Sequence, residues 1–354
     1  MEPLAQAPQA WAQALGISCE AVALFAASEV IDLHVDSFIW TRVLGYDIGQ
    51  RHRPRFARGC FWNQVDVPRL RSVGISGATW VITTNPLRVG ADRARVCGEN
   101  LLRLRALLAA QPEVRVVRTH AEYLEARRVG QHAAFLGIQG GNALDAHTDL
   151  RGLLADGWLL RVTLVHLSSS RLGHTSSPLR LGDGSSGLST QGREIVEALN
   201  AARVFVDLAH ISRAGFFAAL AVHDRSLPAI VTHTGVSGVY PHWRNLDDEQ
   251  LRAIAATGGT IGIMYHSSFL GDPLLGGRLL SIVRHLEHVI EVVGEDHASL
   301  GSDWDGAIIT PRDMPTCLEL PRLVQAMLDR SWSERRIQKI LGGNFLRCLA
   351  ALRG

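Results

Sequence analysis

The chain is short of most features that would declare a function at first sight. Its 354 residues include only five cysteines, Cys19, Cys60, Cys97, Cys317 and Cys348, scattered without CxxC spacing. That odd, unpatterned set excludes a zinc ribbon, a dithiol redox motif and a disulfide framework, and free thiols in a reducing compartment are expected. Neither sign of charge prevails: 36 basic against 34 acidic residues leave a formal charge of +2, so no nucleic-acid or membrane-surface partner is expected. No apolar run reaches the roughly 18 residues of a membrane span. The opening MEPLAQAPQAWAQALG has no basic stretch followed by an apolar one, so no signal peptide is expected. The expectation is a cytoplasmic protein. An apolar fraction of 47% allows a substantial core, in two ordinary domains or one large α/β barrel.

What is present is a rhythm of short β-branched runs that finish on metal-type residues. VFVDLAH (Val204–His210) and PAIVTH (Pro228–His233) flank a helix-like segment. A parallel pair needs such a crossover, and it brings both strand ends to one edge of the sheet. His210 and His233 should therefore emerge side by side. Two imidazoles so placed suit a metal, although an isolated pair would equally suit hydrogen bonds to backbone.

The other runs repeat the arrangement. Residues 1–28 are Ala-rich and predict an N-terminal helical extension ahead of a barrel over 29–354. The run Val30–Asp36 ends in His34 and Asp36, whose i, i+2 spacing puts both side chains on one face of a strand. Residues 37–71 read as a long segment carrying Arg51, His52, Arg53, Arg55 and Arg58, a solvated loop face in preference to a cover for the site or a grip on an anionic substrate. Strands follow over 77–84, 133–140 (ending at Gln139), 159–166 (ending at His166), 204–210, 228–233, 260–265 and from 298 towards Asp303 and Asp305. Helices are predicted over 91–110, 190–200, 247–257 and 281–294. Ser331 with Glu334 reads as the capping box of a last helix striped by Ile337, Ile340, Leu341 and Phe345. The Ser- and Gly-rich stretch 168–187 is long enough to predict a functional loop, often a lid. Eight β–α alternations with no internal linker predict a single (β/α)8 TIM-type barrel, whose chemistry sits at the C-terminal strand ends. Six of the eight ends carry His, Asp or Gln.

These blocks resemble the membrane (renal) dipeptidase family of zinc peptidases, within the amidohydrolase-like barrels. The resemblance is carried by IDLHVDS, QVDVPRLRSVGISGA, GIQGGNAL, VTLVH, VFVDLAHIS, VTHTGVSGVYPHWRNLDDEQLRAIAATGGTIGI, HLEHVIEVVGEDHASLGSDWDG and IQKILGGNFLRCL. It implies a metal-dependent hydrolase of dipeptide-type amide bonds, with His34 and Asp36 as ligands of one zinc and His210 and His233 as ligands of another. It further implies that His166 stabilises the reacting carbonyl, that Arg244 holds the substrate carboxylate, and that Asp303 handles the proton of the attacking water. A homodimer is implied as well. One position departs: Gln139 stands where the family has a glutamate bridging both metals, and Asn142 where it has a histidine. Glutamine offers one neutral acceptor in place of a shared negative charge, so fewer than two tightly held zinc ions are expected, with Gln139→Glu restoring the second. A barrel binding a small ligand without catalysis, or hydrolysing another small amide, ester or lactone, are the alternatives.

Overall fold

The computed structural model describes residues 2–53, 60–85, 87–88, 90–146, 150–169, 172–178 and 187–354. Nine strands form among the described residues: β1 (Ile31–Val35), β2 (Gly77–Thr83), β3 (Val114–Val116), β4 (His132–Gln139), β5 (Leu159–Thr163), β6 (Phe205–Asp207), β7 (Ile230–Thr234), β8 (Thr260–Ile263) and β9 (Ala298–Leu300). Eight run in the parallel order β1-β2-β4-β5-β6-β7-β8-β9, and β3 adds to the beginning of β4 through Val114 opposite His132. A bridge from Val35 to Trp304, with Asp36 N donating to Trp304 O at 2.8 Å and Asp303 N to His34 O at 3.2 Å, joins the last strand back to the first. The result is a nearly closed barrel of eight parallel strands with flanking helices. All eight are buried along their whole length, which is why they read as continuous apolar runs and not as alternating ones.

The helices form where capping chemistry and apolar stripes agree. Asp247 opens the helix Asp248–Ala256 with a complete capping box to Gln250, and Leu101, Leu104 and Leu108 of Gly90–Ala109 are buried as their spacing requires. Two helices, Pro8–Leu15 and Cys19–Ala27, precede β1 and send Trp11, Val22 and Phe25 into the main core. Among the described residues, no helix is long and apolar enough to cross a membrane.

Several local expectations need correction. The segment 37–71 is not one loop: helices Phe38–Leu44 and Val67–Val73 lie within it, the second capped by the Asp66 side chain on Arg69 N. The basic cluster falls partly outside the described residues, as does much of 168–187. β3 and the helix His120–Arg128 were not predicted, because a three-residue VRV between charged residues carries too little periodicity. The last helix is capped by Ser333, not Ser331, and is interrupted by a π-helical turn over Lys339–Gly343. Its stripe residues are nevertheless all buried.

Candidate metal centre

Two strands stop short of the histidines that seemed to end them, whereas His34 lies within β1 and His233 within β7. β5 ends three residues before His166 and β6 three before His210, so both rings are carried by the loops just above the barrel. His210 has φ +66° and Asp303 φ +63°, a left-handed backbone that non-glycine residues adopt seldom and often at functional sites. On β1 the i, i+2 pair converges as its spacing demands: His34 Nε2 lies 3.2 Å from Asp36 Oδ2 and 3.7 Å from Asp303 Oδ1. Asp32, one turn of the pleat earlier, accepts from the backbone N–H groups of His34 and Ser302 and so ties β1 to the loop after β9.

His210 Nε2 and His233 Nε2 are 2.8 Å apart, and the nitrogen end of the Gln139 carboxamide lies 3.1 and 3.3 Å from them. Its other end is 2.9 Å from Thr83 Oγ1, which also bonds Asp36 Oδ1 closely. A hydroxyl has one proton, and the carboxylate is the stronger acceptor. Because Thr83 gives its one proton to Asp36, the carboxamide fits it better turned end for end, with the NH2 donating to Thr83 Oγ1 and the oxygen towards the two imidazoles. Ligands about 2.05 Å from a tetrahedral ion are spaced about 3.3 Å from one another. The Gln139–His210–His233 triangle, with edges of 2.8, 3.1 and 3.3 Å, is somewhat tighter than that. The ligand atoms of His34, His233 and Asp303 also approach within 4.8 Å of one another, a looser group. β4 reaches this point through Gly140, whose φ of +93° turns the chain beside Thr84.

Burial governs the electrostatics. It pushes His166 down to about 4, against a weaker upward pull from Asp36, so the ring is neutral near pH 7. Asp303 is raised well above the usual carboxylate range, first by burial and then by repulsion from Asp36. Burial lowers Arg244 to about 10, opposed by Asp303 and Asp207; it remains a cation. Arg244 Nη2 donates to His233 O at 2.5 Å, while its Nε has no partner among the described residues. Asp305 lies apart from the cluster, accepting from Ser37 Oγ and Gln64 N. Asn142 bonds Thr84 and Ser168.

A cavity of about 480 Å³ opens over these groups, with Asp36, Gln139, His166, His210 and Asp303 on its polar side. Ile39, Val43, Leu167, Trp243, Phe269 and Ile308 supply apolar walls. Arg244 is not among the described residues that line it; Arg42 is, with Nη2 on Thr83 O at 3.2 Å and Nε unpartnered. Arg42 escaped the sequence reading because nothing distinguishes one arginine of a surface-like segment from another. A second omission is Arg161 on β5, only 1% exposed. Its Nη2 is 2.6 Å from His34 Nδ1, and its Nη1 donates to Asp207 Oδ2 at 2.9 Å and to Thr163 Oγ1. The signal was there, a lone arginine inside the apolar run LLRVTLVH.

Comparison with known proteins places this barrel in a class. The family model for membrane dipeptidases, peptidase family M19, matches residues 19–353, and the chain belongs to that family. Among solved structures it is similar to the dipeptidase AC, an M19 metallopeptidase (26% identity, 91% of this chain and 98% of that one, TM-score 0.75). It is also similar to a metallopeptidase from Rhodobacter sphaeroides liganded with a phosphinate mimic of the dipeptide L-Ala-D-Ala (25% identity, 91% and 98% coverage, TM-score 0.77). An uncharacterised protein from the pqqA 5′ region of Klebsiella pneumoniae is 34% identical over 170 residues, 47% of this chain and 62% of that protein, so the match spans less than two thirds of this relative.

Proposed function

We propose that the protein is a metal-dependent hydrolase of dipeptide-type amide bonds. The observation that carries this reading is the convergence of Gln139, His210 and His233, 2.8, 3.1 and 3.3 Å from one another, beneath a cavity in a chain of the dipeptidase family. Zinc is the cation the donor set suits, and when bound such an ion supplies an acidified water and polarises a carbonyl. His34 and Asp36 are the further ligands that the family resemblance implies.

The chain's own residues supply the remaining work. Asp303, on the cavity wall beside His34, is suited as a carboxylate to take the proton of the attacking water and pass it to the departing amine. His166, neutral and edge-on to His210 with ring centres 4.7 Å apart, can donate a hydrogen bond to the developing oxyanion. Among the described residues Arg244 is a buried cation with no paired carboxylate, which suits it to a substrate carboxylate. The apolar walls favour uncharged side chains in the substrate. The five cysteines, all unpaired, support a reducing compartment such as the cytoplasm, and a homodimer is retained as the assembly state.

The test is hydrolysis of a dipeptide panel by the purified chain. Activity should vanish with a chelator and return when zinc is added back. Hydrolysis indifferent to chelation, or none across the panel with zinc present, would remove this reading.

A further inference from the structure

We propose that Arg161 closes one of the two cation positions implied by the family, so that the barrel holds one divalent cation, on Gln139, His210 and His233. The inference rests on the metal-dependent reading above and gives it a stoichiometry and a cause.

The argument is one of donors and acceptors. A guanidinium has five N–H donors and no acceptor, so an Nη2 at 2.6 Å from His34 Nδ1 requires that nitrogen to offer its lone pair. A neutral imidazole has a single N–H, which then sits on Nε2 and points to Asp36 Oδ2 at 3.2 Å. A protonated Nε2 has no lone pair for a metal. Metal-binding histidines ordinarily show the reverse, with the far N–H given to an acceptor.

His233 shows that reverse arrangement in the same barrel. Its Nδ1 is 2.9 Å from Thr232 Oγ1, and Thr232 spends its proton on Asp207 Oδ2 at 2.7 Å. The Thr232 oxygen therefore accepts from the His233 Nδ1–H, and the Nε2 lone pair faces His210. One carboxylate thus sets two histidines oppositely. Through Thr232, Asp207 frees His233 for a cation; through Arg161, it turns His34 away from one. His210 Nδ1 has no partner among the described residues, which leaves that ring free to present Nε2.

The arginine is built into the barrel. A Cβ on Gly137 of β4 would come within 3.0 Å of Arg161 Cγ and 3.1 Å of its Nε, so the neighbouring strand leaves room for this side chain. Its fixed positive charge beside His34 also opposes a second cation there, and Gln139 brings no negative charge between the two positions.

The decisive measurement is a metal count on the metal-stripped, full-length protein after titration with zinc chloride and desalting. One zinc per chain is expected for the unmodified protein and also for Gln139→Glu, because Arg161 still blocks His34. Two are expected for Gln139→Glu combined with Arg161→Met, in which Asp207 keeps its donors from Thr163, Thr232 and Ala209. Nitrogen-15 spectra of the histidines should show His34 as the Nε2–H tautomer with and without zinc in the unmodified protein. Two zinc ions on the unmodified protein or on Gln139→Glu alone overturn the proposal while leaving metal-dependent hydrolysis intact. One zinc on the double variant, or an Nδ1–H tautomer at His34, removes Arg161 as the cause. No zinc at all overturns both this proposal and the hydrolase reading. If the double variant does not fold, the count on Gln139→Glu and the tautomer of the unmodified protein still decide.

Discussion

Arg244 and Arg42 are two guanidiniums near the cavity that share one feature: among the described residues neither pairs with a carboxylate, and each has an unpartnered Nε. Arg42 lines the cavity and Arg244 lies deeper, 2% exposed and tied to His233 O. A buried cation without a counterion is costly unless an anion arrives. The deeper guanidinium has more to gain from one, since its surroundings screen less. We therefore expect Arg244→Ala to lower kcat/KM for free dipeptides by roughly 10- to 100-fold, the loss of about 1.5–3 kcal/mol of charged hydrogen bonding. Arg42→Ala should cost less. With dipeptide amides, which lack the carboxylate, the Arg244 effect should shrink; an unchanged kcat/KM in Arg244→Ala across free dipeptides would reassign the role.

Strands β2 and β4 are joined by more than their ladder. Trp80 Nε1 donates to His132 Nε2 at 3.2 Å, and His132 Nδ1 meets Ile75 O at 3.0 Å. The acceptor role at Nε2 puts the proton on Nδ1, so this buried pair is satisfied only while the ring is neutral. Burial lowers His132 to about 4 from the ordinary 6.5. As pH falls below about 6.5 the unfolded chain takes up a proton that the folded one refuses, and the folded state loses about 1.4 kcal/mol per pH unit until about pH 4. The stability advantage of the unmodified protein over His132→Gln, which does not titrate, should narrow across that window in urea unfolding. A constant difference from pH 7 to 4 would show that the ring is not held neutral.

For the whole molecule, the two leading helices are continuous with the core of the barrel. Leu4 N donates to Ser72 O, Ser18 N to the Gln325 side chain, and Arg322 to Leu15 O, while Trp11, Val22 and Phe25 are at most 2% exposed. Uncovering three such side chains forfeits about 1.5–3 kcal/mol each, a large fraction of a typical folding free energy. Deleting residues 2–28 should lower Tm by 10 °C or more, or yield insoluble protein. Unchanged melting by calorimetry would make these helices a dispensable appendage.

The sequence by itself determined the barrel, because eight buried parallel strands must be apolar throughout and each needs a helical crossover; both leave one-dimensional patterns. It also determined that His34 and Asp36 share a face, since strand periodicity fixes that locally, and it put His210 and His233 at neighbouring strand ends, since a βαβ crossover does. It could not determine which nitrogen of each ring is free. That depends on Arg161, 127 positions from His34 and reaching it across the barrel interior, and on Asp207 and Thr232, whose contact is set by the register of the neighbouring strands β6 and β7. Nor could it separate Arg42 from other arginines, since the cavity wall is made by segments distant in sequence. Patterns of burial are written along the chain, whereas hydrogen-bond partners across a barrel are set by its closure.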